Sequence, residues 1–156
     1  WSAPQGRCRQ LESLADAAFL DALELLPPRL IFGREFVPDD GEFLKLAATV
    51  DLMITIGYGK ILTLDELSAP TNGSINLHFS LLPRWRGAAP VQRSIEAGDS
   101  VTGVTVFQLD EGMDTGPIIL QERVPVMPGD SAESLHARIQ VVEHRLYPEA
   151  IRIVGR

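Results

Sequence analysis

Two polar residues interrupt an apolar run in the stretch GSINLHFSLLPRWRGAAPVQ (residues 73–92): Asn76 and His78 alternate with Ile75, Leu77 and Phe79. Residues two apart on a strand share a face. The pattern therefore predicts an amide and an imidazole aimed at one spot. An imidazole can accept or donate a proton near neutral pH, and an amide can donate to a developing oxyanion. The part still missing is a carboxylate to orient or charge the histidine. Asp114 is the best placed, in the polar loop DEGMDTGP between two strongly apolar runs, with Asp110 and Glu111 as competitors. Taken singly, each residue has an ordinary explanation. Strand histidines are commonly structural, and Asp-x-Gly is common turn chemistry. Metal chemistry is not expected: Cys8 is the sole cysteine, and His136 and His144 lie eight apart with no His-x-x-x-His pair. Neither a Gly-x-Ser-x-Gly elbow nor a phosphate-binding loop occurs.

The elements that must position these residues alternate between helix and strand. QLESLADAAFLDALELL (10–26) has helical spacing and stops at Pro27 and Pro28. RLIFGREFV (29–37) reads as a strand, and PDDGEFLKLAATV (38–50) as turn and short helix. VDLMITIGYG (50–59) is a continuous apolar run closed by glycines, as in a strand buried on both faces. TLDELSAP predicts a short helix with Thr63 as N-cap and Glu66 completing a capping box. GSINLHFS is the next strand, and AAPVQRSIEAGD a helix with Pro90 in its first turn. TGVTVFQLDEGMDTGPIILQERVPV gives two strands around the loop Asp110–Gly116. SAESLHARIQVVEHRLYPEAIRIVG gives a long helix with Leu135, Ile139, Val142 and Leu146 on one face, expected to kink or divide at Pro148. The alternation predicts a single α/β domain over 1–156 with a mainly parallel sheet and its site at the carboxyl ends of strands.

Of the 156 residues, 45% are apolar and 22% charged, which suits a globular chain with a sizeable core. No apolar run approaches a membrane span. No export signal is visible, and the cysteine usage fits a reducing compartment, so a cytoplasmic or organellar-matrix location is expected. The formal charge of −7 opposes nucleic-acid binding through the whole field. RNA contact would need a local patch: Arg7 with Arg9, or Arg84, Arg86 and Arg93. Each of these is equally well read as a solvated surface.

From Ile75 to Glu122 the sequence strongly resembles the 10-formyltetrahydrofolate-dependent formyltransferases. The family signature N-x-H-x-S-L-L-P lies at Asn76–Pro83, and its catalytic D-x-G aspartate matches Asp114 in MDTGPI. The continuation PRWRGAAPVQR is typical of the branch that formylates initiator methionyl-tRNA, and PQGRCRQLE resembles that branch's Gly- and Arg-rich insertion. The resemblance implies a Rossmann-like formyltransferase sheet with helices on both faces. It implies direct formyl transfer from 10-formyltetrahydrofolate, without metal. Asn76 and protonated His78 would stabilise the oxyanion, and Asp114 would hold His78 charged and help move protons. The pteridine ring would lie between Tyr58, Gly59, Lys60, Ile61 and Leu62 on one side and Leu109, Asp110, Glu111, Gly112 and Met113 on the other. Ile61 and Leu62 would wall it. Arg7, Arg9, Arg84, Trp85 and Arg86 would contact the tRNA.

The match has gaps. The family's opening β-α-β unit and the tRNA branch's C-terminal RNA-binding barrel have no counterpart in these residues, which implies a sheet truncated or rearranged at the N-terminus. Exposed sheet edges would favour a homodimer or strand exchange. The closing ESLHARIQVVEHRLYPEAIRIVG resembles glycinamide ribonucleotide formyltransferase, the purine-pathway relative. Other acceptors therefore stand beside initiator Met-tRNA: glycinamide ribonucleotide, an amino sugar, or water in a formyltetrahydrofolate hydrolase. A folate-binding fragment without turnover is the non-enzymatic alternative. Sequence leaves open whether the Leu82–Pro83 peptide is cis.

Overall fold

The computed structural model of the chain describes residues 30–33, 40–56 and 61–155. The helix expected over 10–26, the Gly57–Gly59 corner and the residues Arg7, Arg9, Tyr58, Gly59 and Lys60 lie outside them. The elements run β1 (Leu30–Gly33), α1 (Asp40–Ala47), β2 (Leu52–Ile56), α2 (Leu64–Ser68), β3 (Ser74–His78), α3 (Pro90–Glu96), β4 (Val101–Gln108), β5 (Ile118–Pro125) and α4 (Ala132–Val154).

The strands form one sheet in the order β1-β2-β3-β4-β5. The pairs β1–β2 and β2–β3 are parallel, each joined through a helix; β3–β4 and β4–β5 are antiparallel. The parallel character expected from the sequence is thus confined to the first three described strands. The connection from Gln108 to Ile118 is too short for a parallel crossover, so β4 and β5 close as a hairpin.

Alternation along the strands divides the side chains between two layers. Leu52 and Ile54 of β2, Ile75 and Leu77 of β3, and Val104 and Val106 of β4 pack with Leu135, Ile139, Leu146, Tyr147, Ala150 and Ile151 of α4. Met53 points the other way and packs with Leu62, Leu67 of α2 and Phe43 of α1. Helices therefore cover both faces. Asn76 and His78 alternate with Ile75 and Leu77, so they lie on the α1/α2 side. The capping box of α2 forms as its sequence implies: the Glu66 backbone N–H donates to Thr63 Oγ1 at 3.3 Å, and the Thr63 N–H donates to Glu66 Oε2 at 2.7 Å. Pro90 opens α3.

Helix α4 runs unbroken through Pro148, so of the kink or division expected there the division does not occur. An interior proline costs about 3 kcal/mol. The residues around it offset this, because Leu146, Tyr147, Ala150 and Ile151 are all buried, and each large apolar side chain contributes roughly 1.5–3 kcal/mol on burial. Tyr147 also donates from its hydroxyl to the Thr55 carbonyl at 2.8 Å, tying the helix to β2. At the other end, Ser131 and Ser134 cap each other, and Arg138 binds both Asp130 oxygens and the Pro125 carbonyl.

Beyond β3 the chain turns sharply at Ser80–Pro83, and the Leu82–Pro83 peptide is cis. One hydroxyl on β4 organises the turn. Thr105 Oγ1 donates to the Ser80 carbonyl at 2.7 Å and accepts from the Leu82 N–H at 3.2 Å and from Gln121 Nε2 at 2.8 Å. Thr105→Val keeps the shape and removes the hydroxyl. It should cost about 1–3 kcal/mol by leaving buried backbone groups unpaired. Urea denaturation would measure this, and a loss under about 0.5 kcal/mol would show that the hydroxyl does not hold the turn.

Glu143 sits one turn before Tyr147 and is 6% exposed. Burial pushes its carboxyl from 4.5 up to about 7. A carboxyl raised in the fold opposes folding once it ionises, so this loss begins above the unfolded value and is complete above about 7. Its limit is on the order of 3 kcal/mol. Glu143→Gln should therefore be more stable than the parent at pH 8, with the gap shrinking toward pH 5. Denaturation midpoints across that range test this, and a gap that does not vary with pH would contradict it.

Candidate functional site

Register brings the polar residues of three strands together. Thr55 on β2 lies opposite Asn76, and Thr105 on β4 lies opposite His78. Thr55 Oγ1 is 2.9 Å from Asn76 Oδ1 and 3.4 Å from the Ile75 carbonyl. A hydroxyl has one proton, and the shorter contact takes it. That fixes the Asn76 amide with its oxygen toward Thr55 and its NH2 left to donate elsewhere. Thr55 was not among the site residues read from the sequence, although a lone hydroxyl inside the apolar run LMITI was a signal for it.

His78 is 8% exposed. Its Nε2 lies 2.7 Å from the Trp85 carbonyl, and its Nδ1 lies 3.6 Å from Asp114 Oδ2. Both neighbours are acceptors, so only the doubly protonated ring can offer a hydrogen to each. The contact at Nε2 is a full hydrogen bond. The gap at Nδ1 is longer than one, so the Nδ1 side can admit another acceptor.

The three loop carboxylates have different fates. Asp110 Oδ1 accepts from the Gly112 N–H at 3.0 Å and from Thr115 Oγ1 at 2.6 Å, closing its own turn. Glu111 is exposed. Asp114 is the one that reaches His78. Its Oδ2 also accepts from the Gly87 N–H at 2.7 Å, and its carbonyl accepts from Arg86 Nε at 3.1 Å. Asp114 holds φ 53°, an uncommon conformation for a side chain other than glycine. Gly116 makes the loop's close return: a Cβ there would lie 1.6 Å from the Gln108 carbonyl oxygen.

The basic, aromatic loop after β3 wraps this centre. Arg84 donates from Nη2 and Nε to Asp99 at 2.6 and 3.0 Å, and Trp85 Nε1 donates to the same carboxylate at 2.7 Å. The guanidinium also stacks over the Trp85 ring at 4.5 Å. Arg84 is thus paired with Asp99 while its side chain stays 57% exposed. Arg86 spends one N–H on a neutral carbonyl and keeps its charge.

Of the two segments expected to flank the pteridine, Leu62 and Leu109 meet in the cluster with Met53, Leu67 and Phe43. Ile61 and Met113 stand 67% and 58% exposed. Among the described residues the two segments thus meet through Leu62 and Leu109. Among the described residues, too, no group of three or more His, Cys, Asp or Glu side chains is arranged to hold a metal, and no helix is long and apolar enough to cross a membrane.

The sequence profile of the formyl transferase family matches residues 37–151. The chain is 42% identical over 154 residues to methionyl-tRNA formyltransferase of Caulobacter vibrioides (strain NA1000 / CB15N), covering 99% of this chain and 49% of that protein. It is 42% identical over 153 residues to methionyl-tRNA formyltransferase of Methylibium petroleiphilum, covering 95% and 49%. The chain therefore spans about half the length of these curated relatives. Among solved structures, phosphoribosylglycinamide formyltransferase from Bacillus halodurans superposes with a TM-score of 0.75 at 29% identity, covering 86% of each chain. A profile match over most of the chain, with these relatives and this fold, shows that the chain belongs to the formyltransferase family.

Proposed function

We propose that this chain transfers a formyl group from 10-formyltetrahydrofolate to a primary amine, with the methionyl amino group of initiator Met-tRNA as the favoured acceptor. The observation that carries the reading is the pairing of His78 with Asp114 on the sheet face that also presents the Asn76 amide. The acceptor assignment draws support from the methionyl-tRNA formyltransferases at 42% identity.

In this reading Leu62, Leu109, Ile61 and Met113 hold the pteridine, and main-chain groups of 109–113 read its polar edge. The acceptor amine attacks the formyl carbon, and the carbonyl electron pair moves onto oxygen. Asn76 Nδ2 and His78 Nδ1 donate to that oxygen, the latter through the gap beside Asp114. The oxygen pair then re-forms the carbonyl as the bond to the folate nitrogen breaks. The amine's proton passes to that nitrogen, with Asp114 aiding the relay. The Asp114 carboxylate stays on the Nδ1 side of the ring throughout.

A second reading, transfer to glycinamide ribonucleotide, is favoured by one observation. The solved phosphoribosylglycinamide formyltransferase is covered over 86% of its length, and α4 carries the closing segment that resembles that enzyme. Competing the two acceptors in one assay separates the readings. The tRNA reading requires preferential formylation of Met-tRNA. Folate binding with neither acceptor consumed would instead mark a binding fragment.

Asn76→Ala, His78→Ala and Asp114→Ala should each lower kcat roughly 10²- to 10⁴-fold while donor binding persists. Single-turnover transfer and calorimetry with the folate measure the two parts; wild-type rates in any of the three would remove that residue from the mechanism. The tRNA contacts can be ranked by salt. Arg86→Ala should flatten the dependence of log kcat/KM on log salt by about one unit. Arg84→Ala should change that slope much less, because Asp99 already balances its charge. Equal slope changes would contradict this ranking.

A further inference from the structure

Asp99 follows α3 and precedes β4, at the close of the stretch AAPVQRSIEAGD, where no site role was read for it. It nevertheless takes three hydrogen bonds from the loop that wraps His78: two from Arg84 and one from Trp85. A carboxylate bound through both oxygens to the Nε–Nη2 edge of a guanidinium is a strong and directional contact. The stacked indole adds a second point of hold. The Asp99 side chain is 13% exposed, which shields the pair from solvent on one side. The Arg84 guanidinium holds the Asp99 carboxyl below the ordinary carboxylate range, so the clamp stays charged at neutral pH.

The clamp has something to hold. Trp85 sits at φ 58°. For a bulky aromatic residue such a conformation is strained and persists only when its surroundings over-determine it. In that conformation the Trp85 carbonyl lies 2.7 Å from His78 Nε2. The Arg84 carbonyl, one residue earlier, accepts from Ser80 Oγ at 2.5 Å. Two residues later the Gly87 N–H reaches Asp114. Loop residues 84–87 thus touch both members of the His78–Asp114 pair, and Asp99 is the anchor of the loop's first half.

We propose that Asp99 is a positioning residue: by gripping Arg84 and Trp85 it aims the Trp85 carbonyl at His78 Nε2, which fixes the ring's rotation and turns Nδ1 toward Asp114. Its effect on rate rests on the formyl-transfer reading; its effect on His78 does not. Without the carboxylate, Trp85 relaxes toward an ordinary φ and its carbonyl leaves Nε2. The imidazole then loses the partner that defines its orientation. Arg84 becomes a brace of the site, which is why its removal should act on kcat and hardly on the salt slope.

The test uses the 156-residue chain labelled with 15N. Three histidines give three imidazole spin systems, and His78→Gln assigns the one of interest. In the parent, the His78 Nε2 proton should be visible and slow to exchange. In Asp99→Ala it should be lost, with the backbone amide spectrum otherwise intact. Asp99→Asn keeps one acceptor oxygen and should restore the signal in part. It also serves if the alanine variant does not fold. In transfer assays Asp99→Ala should lower kcat by roughly 10- to 100-fold, leave the KM for the folate nearly unchanged, and shift the pH profile of kcat; Asp99→Asn should recover part of the rate. A folded Asp99→Ala or Asp99→Asn with the His78 signal and kcat of the parent would overturn the proposal. A parent that transfers no formyl group would defeat the functional reading instead, while the imidazole spectra would still decide the role of Asp99.

Discussion

A histidine on a strand, nearly closed to solvent, must find partners for both ring nitrogens. His78 finds them in the Trp85 carbonyl and the Asp114 carboxylate, and neither comes from its own sheet. The Trp85 carbonyl requires a loop that doubles back within seven residues. The Asp114 carboxylate requires a hairpin whose loop lies over the end of β3. Much of the architecture around the site follows from that double demand. Thr105 shapes the turn, Asp99 anchors the loop, Gly116 lets the hairpin return close to Gln108, and Gly87 ties loop to hairpin.

The two faces of the sheet divide the remaining work. The α4 face is apolar and carries the main core, tied by the Tyr147 hydroxyl to β2. The α1/α2 face has the smaller cluster and the polar row Thr55, Asn76 and His78. Polar groups on a covered face are tolerable only when paired, and here each pairing also sets an orientation. Thr55 determines which end of the Asn76 amide points outward. A bond made to satisfy burial therefore also presents a donor for chemistry.

What could be read in the sequence was local. The period-two alternation of Asn76 and His78, the capping box at Thr63 and Glu66, and the opening of α3 at Pro90 all rest on neighbours within a few residues. Pro148 does not divide α4, because helix propensity is local while the burial that overrides it is tertiary. The partner of Arg84 was hidden for a related reason. An arginine beside a tryptophan looks like an open cation, and its partner Asp99 lies fifteen residues on, across a helix. The sequence put Asp114 ahead of Asp110 and Glu111, but what separates the three physically is how the hairpin loop lies against β3, which no local pattern shows. The parallel expectation held only for β1–β3, since a long apolar strand reads alike in either direction.

In the proposed reaction Asn76, His78 and Asp114 surround the position where a formyl carbon becomes tetrahedral. A crystal structure of the chain with an unreactive 10-formyl analogue of tetrahydrofolate tests this most directly. The formyl oxygen should lie about 3 Å from both Asn76 Nδ2 and His78 Nδ1, with the pteridine against Leu62 and Leu109. A ligand seated on the α4 face, or a formyl oxygen out of reach of both donors, would contradict it.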